Sequence, residues 1–108
     1  MKKIFLFLFA LAVGITTLYA NPKHEFRASW MTTGYGLDWP RQKTADAQKA
    51  ELQQKLDALV AGNHNAVCLQ VRSFCDAIYK ASYEPWADCL TGTRGKDPGY
   101  DPLAFAIE

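Results

Sequence analysis

Two short stretches hold side chains whose types and spacing suit binding chemistry. In "LQVRSFCDAIY" (residues 69–79) an apolar run ends in Gln70 and Arg72 and passes at once into a segment with Asp76 and Tyr79. An amide both donates and accepts, and a guanidinium presents a planar fork of donors. Side by side they suit a ligand rich in hydroxyl or carboxylate groups, with Asp76 accepting from that ligand or orienting Arg72. The second stretch, Asp38-Trp39-Pro40, sets a carboxylate beside an indole, an apolar platform next to an acceptor of hydroxyl protons. Each group also has a structural reading. Arg72 and Asp76 can pin a loop to a strand, Trp39 can pack beneath its loop, and Tyr79, like Trp86, suits loop packing. Gln70 and Arg72 therefore either cap a core strand with solvated residues or floor a binding site.

These groups need strands to hold them. "EFRASWM" (residues 25–31) alternates Phe26, Ala28 and Trp30 with Arg27, Ser29 and Met31, a strand pattern. After a loop punctuated by Gly34, Gly36 and Pro40, residues 45–62 place Leu52, Leu56, Leu59 and Val60 on one helical stripe. Thr44 or Asp46 can cap that helix, and Gly62 stands where a left-handed C-terminal cap belongs. "AVCLQV" is the second strand, apolar enough to be covered on both faces of a parallel sheet. Strand, helix, strand predicts a right-handed βαβ crossover.

Parity along the second strand separates its two faces. Val67, Leu69 and Val71 form an apolar face for helices. Ala66, Cys68, Gln70 and Arg72 form a face that turns polar toward the C-terminal end, which in a closed barrel points inward and reaches the top. By the same logic Trp30 is expected to pack against helices, and Arg27, of inward parity but low on its strand, to form an ion pair at the barrel floor. Residues 73–100 show little periodicity but are too apolar for disorder. Lys96-Asp97-Pro98-Gly99 reads as a turn. "DPLAFAIE" opens a helix with Asp101 as N-cap and Pro102 at its first position.

Of 108 residues, the first twenty have a basic start, an apolar stretch and Ala20 at the end, the layout of a secretory signal peptide, with a membrane anchor as the alternative for a run marginal in length for a span. Without Lys2 and Lys3 the remainder carries about one net negative charge. No basic stripe is left for nucleic acid, and no stable membrane span is expected once the leader is removed. The expected location is exported, periplasmic or extracellular. Of the three cysteines, Cys68 reads as a small core residue, while Cys75 and Cys89 lie in one loop and can pair in an oxidising compartment. No Cys/His spacing reads as a zinc site, and His24 and His64 have no partner motif. No metal or cofactor is expected.

Three segments in fixed order, "EFRASWMTTGYGLDWP" (25–40), "KAELQQKLDALVAGNHNAVCLQVRSFCDAIYKASYEPW" (49–86) and "LTGTRGKDPGYDPLAFAIE" (90–108), resemble the glycosyl-hydrolase-like 10 family, also called the domain of unknown function 187 family. The wording departs from the family's at Ser73-Phe74-Cys75, where a Pro and a small residue or Gly are commoner before the Asp, and at His64, where an aromatic is usual. The resemblance implies an exported glycoside hydrolase acting on a polysaccharide or other glycan, with cell-wall glycan one candidate. The fold it implies is α/β, the N-terminal portion of a (β/α)8 TIM-type barrel with its first two βα units and parallel strands, incomplete. Residues 21–108 would be that truncated barrel portion. Glycoside hydrolysis normally needs two carboxyl groups, ~5–5.5 Å or ~6.5–9.5 Å apart. The resemblance implies that this acid/base pair lies beyond Glu108 and that the fragment is inactive alone. Asp38, Trp39, Gln70, Arg72, Asp76 and Tyr79 are then the candidate substrate-binding residues. The alternative is a non-catalytic carbohydrate-binding or structural module.

Overall fold

The computed structural model describes residues 25–108. The expected signal peptide, and His24, lie outside them. Strand β1 (Ala28–Met31) leads through a 3-10 turn (Gly34–Gly36) to helix α1 (Ala45–Ala61) and strand β2 (Ala66–Leu69). A one-turn helix α2 (Asp88–Thr91) and helix α3 (Pro102–Ile107) follow. The result is a mixed α/β arrangement with two parallel strands, paired in register from Ala28 with Ala66 to Met31 with Leu69. The first strand is shorter than its alternation predicts. Ahead of Ala28, the chain is held by Asn65, whose Oδ1 accepts the Arg27 backbone N–H at 2.8 Å.

Partners across a parallel pair share a face, and this corrects two expectations. Met31, Val67, Leu69 and Val71 line an apolar groove together with Leu52 and Leu56 of α1. Trp30 therefore shares the opposite face with Cys68. Trp30 is 67 % exposed and Cys68 is also exposed, so neither packs in the core that the described residues form. The alternation of β1 was read correctly but assigned to the wrong sides, because Trp30 is the larger apolar residue and Met31 the buried one. Arg27 is accordingly not on the Trp30 side. It pairs with Glu25 at 3.4 Å, and its Nε donates to the Asn63 carbonyl at 2.6 Å, at the N-terminal end of the strand.

Helix α1 turns Leu52 inward, with Leu56 and Leu59 packed against the core. Val60 is 72 % exposed, since it sits about 80° round the helix from Leu52. Gln48, one turn before Leu52, is buried in its place. Thr44 occupies the N-cap position without a side-chain cap bond. At the other end the left-handed residue is Asn63 (φ 61°) rather than Gly62 (φ −80°). His64 N–H donates to Leu59 O at 2.9 Å and Asn63 N–H to Val60 O at 2.9 Å. That is a Schellman ending displaced by one residue from the expected cap. Asp101 does cap α3, its Oδ1 accepting from Ala104 N–H at 3.0 Å, with Pro102 in the first turn.

The aperiodic segment after β2 is a second half of the core. Ile78, Ala87, Cys89 and Leu90 bury together with Met31, Trp39 and Leu52. A parallel bridge between Ala77 and Trp86 closes that segment on itself. Asp97 Oδ1 accepts from Gly99 N–H at 2.7 Å, which forms the expected turn. No helix among the described residues is long and apolar enough to cross a membrane.

The three cysteines are free, so the Cys75–Cys89 bridge is not formed: Cys75 is exposed and Cys89 sits in the core. Burial pushes the Cys89 thiol up from 9.0 to about 11, with Asp88 and Asp76 adding to the rise against Lys43. Unfolding restores the ordinary value, so the unfolded chain loses this proton first as pH climbs. Stability from this group is therefore complete below pH 9.0 and is lost toward about 11. At pH 8, iodoacetamide should modify Cys68 and Cys75 in the native chain and spare Cys89 until denaturant is added. Mass spectrometry of the alkylated peptides reads this directly, and labelling of Cys89 at the pace of the other two would contradict it.

Candidate functional site

Parallel pairing brings the C-terminal ends of β1 and β2 to the same end of the molecule, and the loops that leave them are tied to each other. The tie is Gln70. Its Oε1 accepts from the Thr32 hydroxyl, from Thr33 N–H at 3.1 Å and from Gly34 N–H at 3.3 Å. In return, Thr33 Oγ1 donates to the Gln70 carbonyl at 2.9 Å and lies 2.7 Å from Ser73 Oγ. Gln70 N–H continues the ladder to Met31 O at 2.9 Å. The amide oxygen is thus fully engaged inside the protein. The Gln70 NH2 group is what remains for a ligand.

The loop after β1 folds back on its own start. Asp38 Oδ2 accepts from Thr32 N–H at 2.8 Å, and the Thr32 carbonyl accepts from both Asp38 and Trp39 N–H at 3.3 Å. Asp38 is half-buried, with its second oxygen outside this closure. Trp39 resolves to the packing alternative. It is 0 % exposed, and its indole Nε1–H donates to the Gln48 carbonyl at 2.9 Å. An indole with no accessible face is not a platform, which corrects its place among the substrate-binding candidates. The Trp39–Pro40 peptide bond is cis.

Gln48 is the buried polar residue that no sequence pattern singled out. Its Nε2 donates to Gln42 O at 2.8 Å and Leu90 O at 2.6 Å, and its Oε1 accepts from Tyr100 OH at 2.7 Å. It therefore fastens α1 to the two loops and the approach to α3. Burial pushes the Tyr100 phenol well above its usual range, so it stays a donor to Gln48 at any ordinary pH.

The loop after β2 is arranged differently from its expectation. Arg72 pairs with Glu84, and its side chain is 56 % exposed. Asp76 does not orient it. Asp76 is only 2 % exposed, and its Oδ1 accepts from Phe74 N–H at 3.2 Å. A carboxylate so enclosed is a loop anchor, and this corrects its reading as an acceptor of ligand hydroxyls. Arg94 braces the same turn, with Nη2 donating to Phe74 O at 2.9 Å and Cys75 O at 2.7 Å. Tyr79 is half-buried within that segment.

The end of the strand pair thus gathers Thr32, Thr33, Asp38, Gln70 and Ser73 into one hydrogen-bonded cluster. Arg72 stands beside it in chain order but is bonded elsewhere. Thr32 and Thr33 were legible only as two hydroxyls following a strand. Arg94 gave no sign of its role, being far along an aperiodic segment.

The model of the glycosyl hydrolase-like 10 family matches residues 25–108. Among curated relatives, glycosyl hydrolase YngK of Bacillus subtilis (strain 168) is 40% identical over 115 residues, covering 99% of this chain and 22% of that protein. Glycosyl hydrolase DigH of Escherichia coli (strain K12) is 35% identical over 91 residues, covering 76% of this chain and 21% of that protein. The chain spans about a fifth of the length of these relatives.

Proposed function

The chain belongs to the glycosyl hydrolase-like 10 family, and on that premise we propose that it is the N-terminal part of an exported glycoside hydrolase of the (β/α)8 type acting on a polysaccharide. Residues 1–20 would be its signal peptide, and residues 21–108 would supply the first two βα units. Cell-wall glycan is one candidate substrate.

The observation that carries the reading is the parallel β1–β2 pair with its polar cluster gathered at the C-terminal end. Barrel enzymes build their sites from the loops at that end, with catalytic groups drawn from several different strands. Gln70, through its NH2 group, and Arg72, through whatever reach its pairing with Glu84 leaves, would contact sugar hydroxyls. Asp38 would add its second oxygen.

None of these groups is assigned as acid or base. Cleavage of a glycosidic bond needs one carboxyl group to protonate the leaving oxygen and another to attack or to activate water. At the strand ends, Asp76 is enclosed and bonded to Phe74 N–H, while Asp38 is tied to Thr32 N–H. Strands outside this sequence would supply the pair, in keeping with the length of the relatives.

The purified 108-residue chain should release no new reducing ends from cell-wall glycan strands or plant polysaccharides. The reading frame continued downstream should release them from at least one. Turnover by the short chain would overturn the division of labour, and no turnover by the extended protein on any polysaccharide would overturn the glycoside hydrolase reading.

A further inference from the structure

Two exposed aromatic rings stand at the strand-end face, and neither has a part in the cluster described above. Tyr35 follows β1 and is 83 % exposed; Phe74 follows β2 and is 42 % exposed. They come from different loops yet meet, with ring centroids 4.7 Å apart and planes tilted by 57°. We propose that Tyr35 and Phe74 form a stacking platform for a pyranose ring, a subsite beside the Gln70 cluster.

The proposal rests on the glycan reading above and adds to it a place where the apolar face of a sugar lies. A pyranose with equatorial substituents has flat C–H faces and a rim of hydroxyls, so its site needs an aromatic surface with polar groups along one edge. Both are here. A β-carbon added at Gly34 would lie 3.6 Å from Thr32 Oγ1, 3.7 Å from Gln70 Oε1 and 3.8 Å from Phe74 Cε2. The Phe74 ring edge, the threonine hydroxyl and the glutamine amide therefore converge on a single glycine.

Both rings are also held in place. Tyr35 sits at φ 55° and Cys75, next to Phe74, at φ 52°, a left-handed conformation that residues other than glycine rarely adopt. Non-glycine residues in that region persist only where the surroundings over-determine them, which is frequent at binding sites. The surroundings here can be named. Gly36 N–H to Thr33 O at 2.9 Å and Leu37 N–H to Gly34 O at 3.1 Å fix the Tyr35 turn. Asp76 and Arg94 fix the Phe74 turn from its N–H and C=O sides.

The test is isothermal titration of the full-length protein with the hexamer of N-acetylglucosamine and, separately, with cellohexaose. The two probes distinguish an acetamido glycan from a plain glucan. Phe74→Ala and Tyr35→Ala should each weaken binding of the preferred probe about five- to tenfold, the order expected of an aromatic contact. Phe74→Leu separates the platform from a simple clamp, because leucine keeps the apolar packing but has no ring face. It should bind as weakly as Phe74→Ala while its unfolding midpoint stays near that of the wild type, and Phe74→Tyr should bind within about twofold of it. If the wild type binds and Phe74→Leu binds equally well, the platform is wrong and the glycan reading stands. If the wild type binds neither probe, the platform is overturned, and the glycan reading is decided separately by the release of reducing ends.

Discussion

Replacing Trp39 by alanine is expected to lower folding stability by about 3–5 kcal/mol, the range for deleting a buried large aromatic. Trp39 is among the largest fully buried side chains, and it fills the space between the loop after β1 and helix α1. Removing it leaves a cavity that α1 cannot close, because Gln48 fixes that part of the helix to Gln42, Leu90 and Tyr100. Trp39→Phe separates volume from hydrogen bonding. It keeps a six-membered ring and loses the smaller pyrrole part of the indole together with its donor to the Gln48 carbonyl, so its cost should fall to about 1–2 kcal/mol. Urea denaturation followed by far-UV circular dichroism gives both values. A loss below about 1 kcal/mol for the alanine variant would mean that Trp39 is not the packing centre its burial indicates.

The second large effect is expected at Gln70. Leucine is close to glutamine in size and has no acceptor, so Gln70→Leu removes the oxygen that Thr32, Thr33 and Gly34 share while leaving the volume in place. Thr33 and Gly34 are both buried, and among the described residues the Thr33 N–H has no second partner to fall back on, whereas Gly34 N–H also reaches Thr32 Oγ1 at 3.3 Å. A stability loss of about 2–3 kcal/mol follows from orphaned buried donors. Amide exchange at Thr33 and Gly34 should accelerate more than at Leu52 in the middle of α1. Uniform acceleration would make Gln70 an ordinary packing residue. Gln70→Glu keeps acceptor oxygens in the same place and should keep the loop ordered.

Much of the frame was legible because its causes are local. The leucine spacing defined α1, Asp101-Pro102 defined the start of α3, and the apolar run at residues 66–71 announced a strand that pairs parallel to β1, though its Cys68 face is open among the described residues. Misreadings came where the decisive partner is distant in sequence. Trp30 and Met31 are both apolar, so alternation alone could not say which side of β1 meets the helices. Asp76 looked like a ligand group because nothing nearby in the chain reveals that its segment is buried, with Ile78 joining Ala87 and Leu90 in the core. Gln48 looked like an ordinary polar helix residue, since its partners lie at positions 42, 90 and 100. Gln70 stood out as a polar residue ending an apolar strand, available to a ligand. Most of its bonding runs inward to a loop that the sequence marked only with two threonines.

The way Gln70 holds the loop after β1 bears on when the mouth of this fold takes shape. The same residue supplies a backbone rung to Met31 and the side-chain anchor for Thr33. Pairing of the two strands and placement of the loop thus depend on the same residue. A chain that has completed only this βαβ unit would therefore already hold the loop after β1 in its described form, although the residues that meet there are 37 apart in sequence.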